Sequence, residues 1–149
     1  MPADSEVPLP RTFRPFGVRL AIYVAGGLLM LVTTVMWLAL PTEIRAQFTP
    51  LQIATILVLG LMFYAGGYAL ARSCVVARED GLTVVNGYRT RRYEWNEVLA
   101  VSLRSGSPWA ELDLSDGTTV AAMGIQGSDG PRALRQVREV RALVNRLTR

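Results

Sequence analysis

The stretch Glu79–Trp95 reads EDGLTVVNGYRTRRYEW, and its reading decides the fold. Asp80-Gly81 and Asn86-Gly87 are hairpin signals, because an acid or amide followed by glycine tolerates the positive φ of a tight antiparallel turn. Leu82–Val85 lies between them as a short β-rich run, and Tyr88–Glu94 follows as another. With Cys74–Arg78 in front, three sequential strands are expected, each turning back on the last.

Toward the C-terminus the same pattern continues. Val98–Arg104 is expected as a fourth strand, with Leu99, Val101 and Leu103 alternating against Val98, Ala100, Ser102 and Arg104. Ser105–Pro108 turns the chain. Trp109–Leu114 is the fifth strand, with Leu112 and Leu114 inward and Glu111 and Asp113 outward. Ser115-Asp116-Gly117 turns it again, and Thr118–Met123 is the sixth. Sequential neighbours then pair in one antiparallel meander. Pro131–Leu147 has helical period. Leu134, Val137, Val140, Leu143, Val144 and Leu147 fall on one half of a wheel, and Arg132, Arg135, Arg138, Arg141, Arg146 and Arg149 on the other. Ser128 or Asp129 is the expected cap, and Pro131 suits a first turn. The apolar half needs a cover, and the open end of the sheet supplies one.

Toward the N-terminus the composition changes. Leu20–Leu40 and Leu51–Ala71 hold 33 of the 75 hydrophobic residues and no charge. Residues 72–149 have 32 hydrophobic residues among 78, an ordinary share for a water-exposed domain. Twenty-one helical residues span roughly 30 Å, the thickness of a bilayer's apolar core. The link Pro41–Pro50 is short, so residues 20–71 read as an antiparallel transmembrane hairpin. Arg11, Arg14 and Arg19 precede it, Arg72 and Arg78 follow it, and the link carries Arg45 beside Glu43. This bias places both termini in the cytoplasm, with the hairpin in the inner (plasma) membrane. Tyr23, Tyr64 and Tyr68 toward one end, and Trp37 and Phe48 toward the other, agree with it. Both spans lack acidic, basic and histidine side chains, which argues against an ion path. Gly26, Gly27, Gly60, Gly66 and Gly67 permit close helix contact, either within the hairpin or with a partner. A cleaved signal peptide fits poorly, because the first run is long and a second span follows. Residues 1–19, with four prolines and mixed charge, read as a disordered cytoplasmic tail.

The inventory removes chemistries. There is no histidine or lysine, so all 16 basic residues are arginine, against 12 acids. Cys74 is the single cysteine. Cys/His zinc sites, histidine-based triads, Schiff-base lysines and the phosphate-loop lysine are therefore excluded. No cofactor is expected, and no enzyme activity.

Glu79-Asp80-Gly81-Leu82-Thr83-Val84, then Arg92-Tyr93-Glu94-Trp95-Asn96-Glu97-Val98, then Trp109-Ala110 through Ser115-Asp116-Gly117-Thr118 resemble the bacterial pleckstrin-homology (PH)-like proteins. The resemblance runs over about residues 50–147, and its motifs are loose. It implies an α+β fold: a two-helix hairpin, then an antiparallel sheet or partial barrel at 72–149 closed by a C-terminal amphipathic helix. In that family a PH-like domain often follows two membrane helices.

Two basic surfaces are candidates for contact. Arg89, Arg91 and Arg92 interleave with Tyr88 and Tyr93 on the second hairpin. In phosphoinositide-binding PH domains basic residues near the first hairpins hold phosphates, but this turn is too tight to cradle a headgroup. The turn weighs against specific headgroup binding, and general attraction to anionic lipid and an ordinary solvated strand face are the other readings. Arg132, Arg135, Arg138 and Arg141 form the second surface, read as a protein- or membrane-facing patch or a solvated face. No nucleic-acid reading motif accompanies it. Glu111, Asp113 and Asp116 read as solvated acids, Trp95 and Trp109 as core or rim residues, and Cys74 as a buried small hydrophobe. The expected role is a membrane-anchored interaction module, a scaffold or accessory subunit with a membrane-protein partner. The alternative is binding of anionic membrane lipid.

Overall fold

The computed structural model describes residues 7–148. A short strand β1, Arg11–Phe13, leads into the long helix α1, Phe16–Ala39. A single-turn helix α2, Thr42–Arg45, sits in the link, and α3, Pro50–Arg72, returns. Both long helices are apolar enough to cross a membrane, and almost none of either is buried. Gln52, the lone amide of the second apolar run, has a local role. Its backbone N–H donates to the Thr49 hydroxyl at 3.3 Å, and its side-chain oxygen accepts from the Thr49 N–H at 2.9 Å. This capping box satisfies amides that the helix cannot, with Pro50 at the first turn.

The N-terminal stretch corrects the expectation of a disordered tail over its described part. Arg11, Thr12 and Phe13 pair antiparallel with Ala77, Val76 and Val75 of β2, Cys74–Arg78. Phe13 is 1% exposed. One aromatic with a waiting pocket is enough to order a segment that composition alone leaves loose. Residues 1–6 of that expected tail lie outside the described residues.

The remaining strands are β3 (Gly81–Asn86), β4 (Arg89–Tyr93), β5 (Val98–Ser102), β6 (Trp109–Leu114) and β7 (Thr119–Gln126). They do not form one meander. The order is β1-β2-β3-β4 in one sheet and β5-β6-β7 in a second, all antiparallel and without closure into a barrel. The break falls at the 3-10 turn Trp95–Glu97. Trp95 is buried there, and its indole N–H donates to the carbonyls of Arg78 (2.9 Å) and Glu79 (3.2 Å). That plug turns the chain out of the first sheet, so β5 starts afresh.

The two sheets meet where β7 crosses β2 and β3. A Cβ on Gly124 would lie 2.5 Å from the backbone of Cys74, so glycine is required for the approach. Beside it Asn86 bridges the sheets: its amide donates to the Ala121 carbonyl, and its oxygen accepts from the Met123 N–H at 3.0 Å.

The helix α4, Pro131–Leu147, covers the core as expected, with Ala133, Val137, Val140, Leu143 and Val144 buried. Leu134 does not join them. It is 52% exposed, and Gln136 is buried instead. The buried stripe is centred on Ala133, Val137 and Val140, which puts Leu134 past its edge. A register shift between Val98 and Ala100 has a similar effect on β5. It turns Leu99 outward, at 63% exposed, while Val98 and Val101 stay buried. The expected cap of α4 is also corrected. Gly130 occupies that position without a side-chain bond. Asp129 instead accepts from the N–H groups of Phe16 (2.8 Å) and Gly17 (2.9 Å), so the domain caps the first apolar helix.

Candidate functional site

The basic hairpin is built around Gly87. The turn is Gly87–Tyr88, one residue later than the Asn-Gly signal, with Asn86 paired to Arg89. Gly87 has φ +60°, which favours glycine, and a Cβ there would reach only van der Waals contact with Ala69 of α3, at 3.4 Å. Its N–H donates to the Ser73 hydroxyl at 2.9 Å, which donates in turn to the Ala69 carbonyl at 3.0 Å. Tyr88 is in the turn rather than in a strand. Its hydroxyl donates to the Ala65 carbonyl at 2.7 Å. The Arg72 guanidinium lies 5.8 Å from the Tyr68 ring and 5.7 Å from the Tyr88 ring. The hairpin tip is thus docked along the last two turns of α3.

The strand register divides the expected cluster. Arg91 sits opposite Val84, and Tyr93 opposite Leu82. Cross-strand partners share a face. Val84 and Leu82 are buried, so Tyr93, Arg91 and Arg89 belong to the inner face of the sheet. Arg92 is on the outer face and pairs with Asp80. Arg89, Arg91 and Tyr93 line a cavity of about 140 Å³ together with Val84, Asn86 and Val120. Tyr93 is 7% exposed, and its hydroxyl is buried with no partner among the described residues. Arg89 and Arg91 make no ion pair among the described residues. The five residues therefore separate into three groups: Tyr88 holds α3, Arg92 holds a turn acid, and Arg89, Arg91 and Tyr93 surround one polar recess.

The second basic surface is also divided. Arg132 lies 5.3 Å from the Phe16 ring, at the start of α1. Arg141 donates to the Val101 carbonyl at 2.8 Å. Arg135 and Arg138 are exposed and unpaired among the described residues. Glu139 is bonded to Arg11 at 3.1 Å, joining β1 to α4.

The other singled-out residues have structural roles. The Asp116 carboxylate accepts from the Thr118 hydroxyl at 2.7 Å and the Thr118 N–H at 2.8 Å. These bonds, the hydroxyl's first, hold its pKa below the usual value. A carboxylate so stabilised is a poor proton donor at neutral pH. Trp109 is half-buried at the start of β6. Cys74 is buried, and burial pushes its thiol up while Arg14, Arg72 and Arg19 pull it down less strongly. Reading the sequence missed Ser73, Asn86 as a bridge, and Asp129 as the cap of α1. Asn86 and Asp129 carried local signals, but those spoke of a turn and of a cap for the C-terminal helix; Ser73 carried none.

An antiparallel two-sheet domain sealed by a C-terminal amphipathic helix follows two apolar helices, the arrangement that the resemblance to PH-like proteins implies. Residues 72–143 match the family described as Bacterial PH domain, and that segment is such a domain. Uncharacterized proteins of Mycobacterium tuberculosis and Mycobacterium bovis are each 36% identical over 88 residues, 59% of this chain. The chain spans 57% of the length of these relatives. No solved structure matches. Nothing in the fold or the family points to an enzymatic activity.

Proposed function

We propose that the chain is a membrane-anchored interaction module, a scaffold or accessory subunit of a membrane-protein assembly in the plasma membrane, with both termini cytoplasmic. One observation carries this reading. An apolar groove of about 500 Å³ runs between α1 and α3, floored by small residues that include Ala21, Ala25, Gly26, Gly66 and Gly67. Gly26 and Gly67 serve the hairpin itself, facing Tyr64 and Ile22, whereas Gly27, Gly60 and Gly66 face open space. Small residues at a helix surface in lipid allow a second helix to approach closely. A partner's transmembrane helix fits this groove. Purification of the full chain from native membranes in mild detergent tests it. A stoichiometric membrane-protein partner is expected, lost on Gly66→Leu and kept on Arg89→Ala/Arg91→Ala/Arg92→Ala. A chain that purifies alone overturns the reading.

A second reading is favoured by the hairpin's position. With its tip docked on α3 at Ala65 and Ala69, Arg89 and Arg91 lie close to the cytoplasmic headgroups of an anchored chain. Each arginine near an anionic surface gains about 1 kcal/mol. Amide exchange over Tyr88–Tyr93 should slow in nanodiscs containing phosphatidylglycerol, compared with phosphatidylcholine alone. Equal exchange in both overturns it.

A further inference from the structure

Arg14, Arg19 and Arg72 entered the sequence reading only as markers of orientation. In the fold they converge. All three line one cavity of about 220 Å³ with Tyr23, Tyr68 and Ala71, at the end of the helix pair nearest the domain. Among the described residues, no carboxylate lines that cavity. Asp129, the acid at the start of α1, is engaged by the Phe16 and Gly17 amides. None of the three arginines makes an ion pair among the described residues. The Arg19 Nε is buried without a hydrogen-bond partner among those residues. A second cavity of about 250 Å³ shares Arg14, Arg19 and Tyr23 and continues over Pro15, Phe16 and Leu20, with Arg132 at its side. A strongly basic recess thus opens beside a mainly apolar one.

We propose that this paired recess is a binding site for one anionic phospholipid, its headgroup phosphate among Arg14, Arg19 and Arg72 and its glycerol and upper acyl chain along Leu20 and Tyr23. The proposal rests on the bilayer-anchored reading and goes beyond it by naming a ligand and a site. Three guanidiniums around one recess repel each other, and a phosphate removes that repulsion. Arginine's planar fork of donors suits phosphate oxygens. The location fits as well, since basic pockets between membrane helices on the cytoplasmic side take anionic headgroups. Tyr23 and Tyr68 lie where ring and hydroxyl span the boundary between headgroup and chain. The buried Cys74 thiol registers the same convergence, because each of the three arginines opposes the rise that burial causes in its pKa.

The full chain, reconstituted in nanodiscs of equimolar phosphatidylglycerol and phosphatidylcholine and re-extracted in mild detergent, provides the test by mass spectrometry of retained lipid. Phosphatidylglycerol should be enriched over phosphatidylcholine on the order of tenfold. Arg14→Gln/Arg19→Gln/Arg72→Gln should abolish the enrichment, and Arg89→Gln/Arg91→Gln should leave it intact. Removing three charges risks inverting or unfolding the chain, so Arg19→Gln alone is the second arm. It should lower the enrichment without shifting the melting temperature. Equal retention of the two lipids by the wild-type chain, or enrichment that survives the triple change, overturns the site. Displacement of the lipid by water-soluble glycerol phosphate also overturns it and assigns the arginines to a free phosphate ester. Alkaline carbonate extraction separates the two levels of argument. A chain that stays in the membrane fraction but shows no headgroup preference loses only this site. A chain released by carbonate loses the anchor reading as well.

Discussion

Three residues carry more of this structure than their neighbours. Phe13 fills the core from a strand of three residues, and Phe13→Ala should cost about 3–5 kcal/mol. A thermal melt of the full chain in detergent would show it, and a loss within about 0.5 kcal/mol, the range of an ordinary surface change, would refute the assignment. Gly124→Ala should cost about 1–3 kcal/mol by pushing Cys74 and β7 apart. Cys74 itself is held as the neutral thiol because its folded pKa is raised. The folded state then keeps a proton that the unfolded chain releases. Stability should be full below the ordinary thiol value and should fall as pH rises above it. Cys74→Ala should flatten that alkaline slope, and iodoacetamide should label the native protein far more slowly than the unfolded one.

At the scale of elements, what was legible in the sequence had local causes. Cys74–Arg78, Trp109–Leu114 and Pro131–Leu147 have the bounds their alternation or amphipathic period implied. The misses had causes in the tertiary structure. β1 is held by pairing with Ala77, Val76 and Val75, on the far side of two helices, and no pattern in three residues announces such a partner. The division into two sheets follows from Trp95 finding the carbonyls of Arg78 and Glu79, whereas turn signals specify only the next neighbour. Leu134 belonged to the apolar half by period and faces outward at the edge of its stripe, while in β5 a bulge decides that Leu99 faces out beside the buried Val98 and Val101. The candidate site was legible as a set of arginines but not as a geometry. Register alone separates Arg92 from Arg89 and Arg91. Asn86→Ala should test the junction of the sheets. It removes two bonds to β7 and should cost about 1–3 kcal/mol, read as a lower melting temperature with the far-ultraviolet spectrum unchanged.

For the whole molecule, domain and helix pair are joined at several points. β1 and β2 are adjacent strands leading into α1 and out of α3, Asp129 caps α1, and Tyr88 and Ser73 hold α3. Asp129→Ala should cost about 1 kcal/mol and raise amide exchange at Phe16 and Gly17. If that exchange is unchanged, the cap is dispensable. The β1–β2 pairing also requires the segments before α1 and after α3 to share a side of any membrane the helices cross. Reporters placed at the two ends of the chain should therefore always agree, and in the proposed orientation both report cytoplasm.

That pairing gives assembly an order. The ribosome makes β1 first, but its partner strand emerges only after both apolar helices. Until then Phe13 has no pocket. Afterwards β1 reaches β2 only if the helices have come to rest with matching ends. In any membrane the helices cross, a chain with one helix inverted would separate Phe13 from its pocket and leave β2 as an open sheet edge, a form prone to aggregation and to quality-control proteolysis. The three-residue strand thus makes completion of the core wait for the arrival of β2, after both long helices.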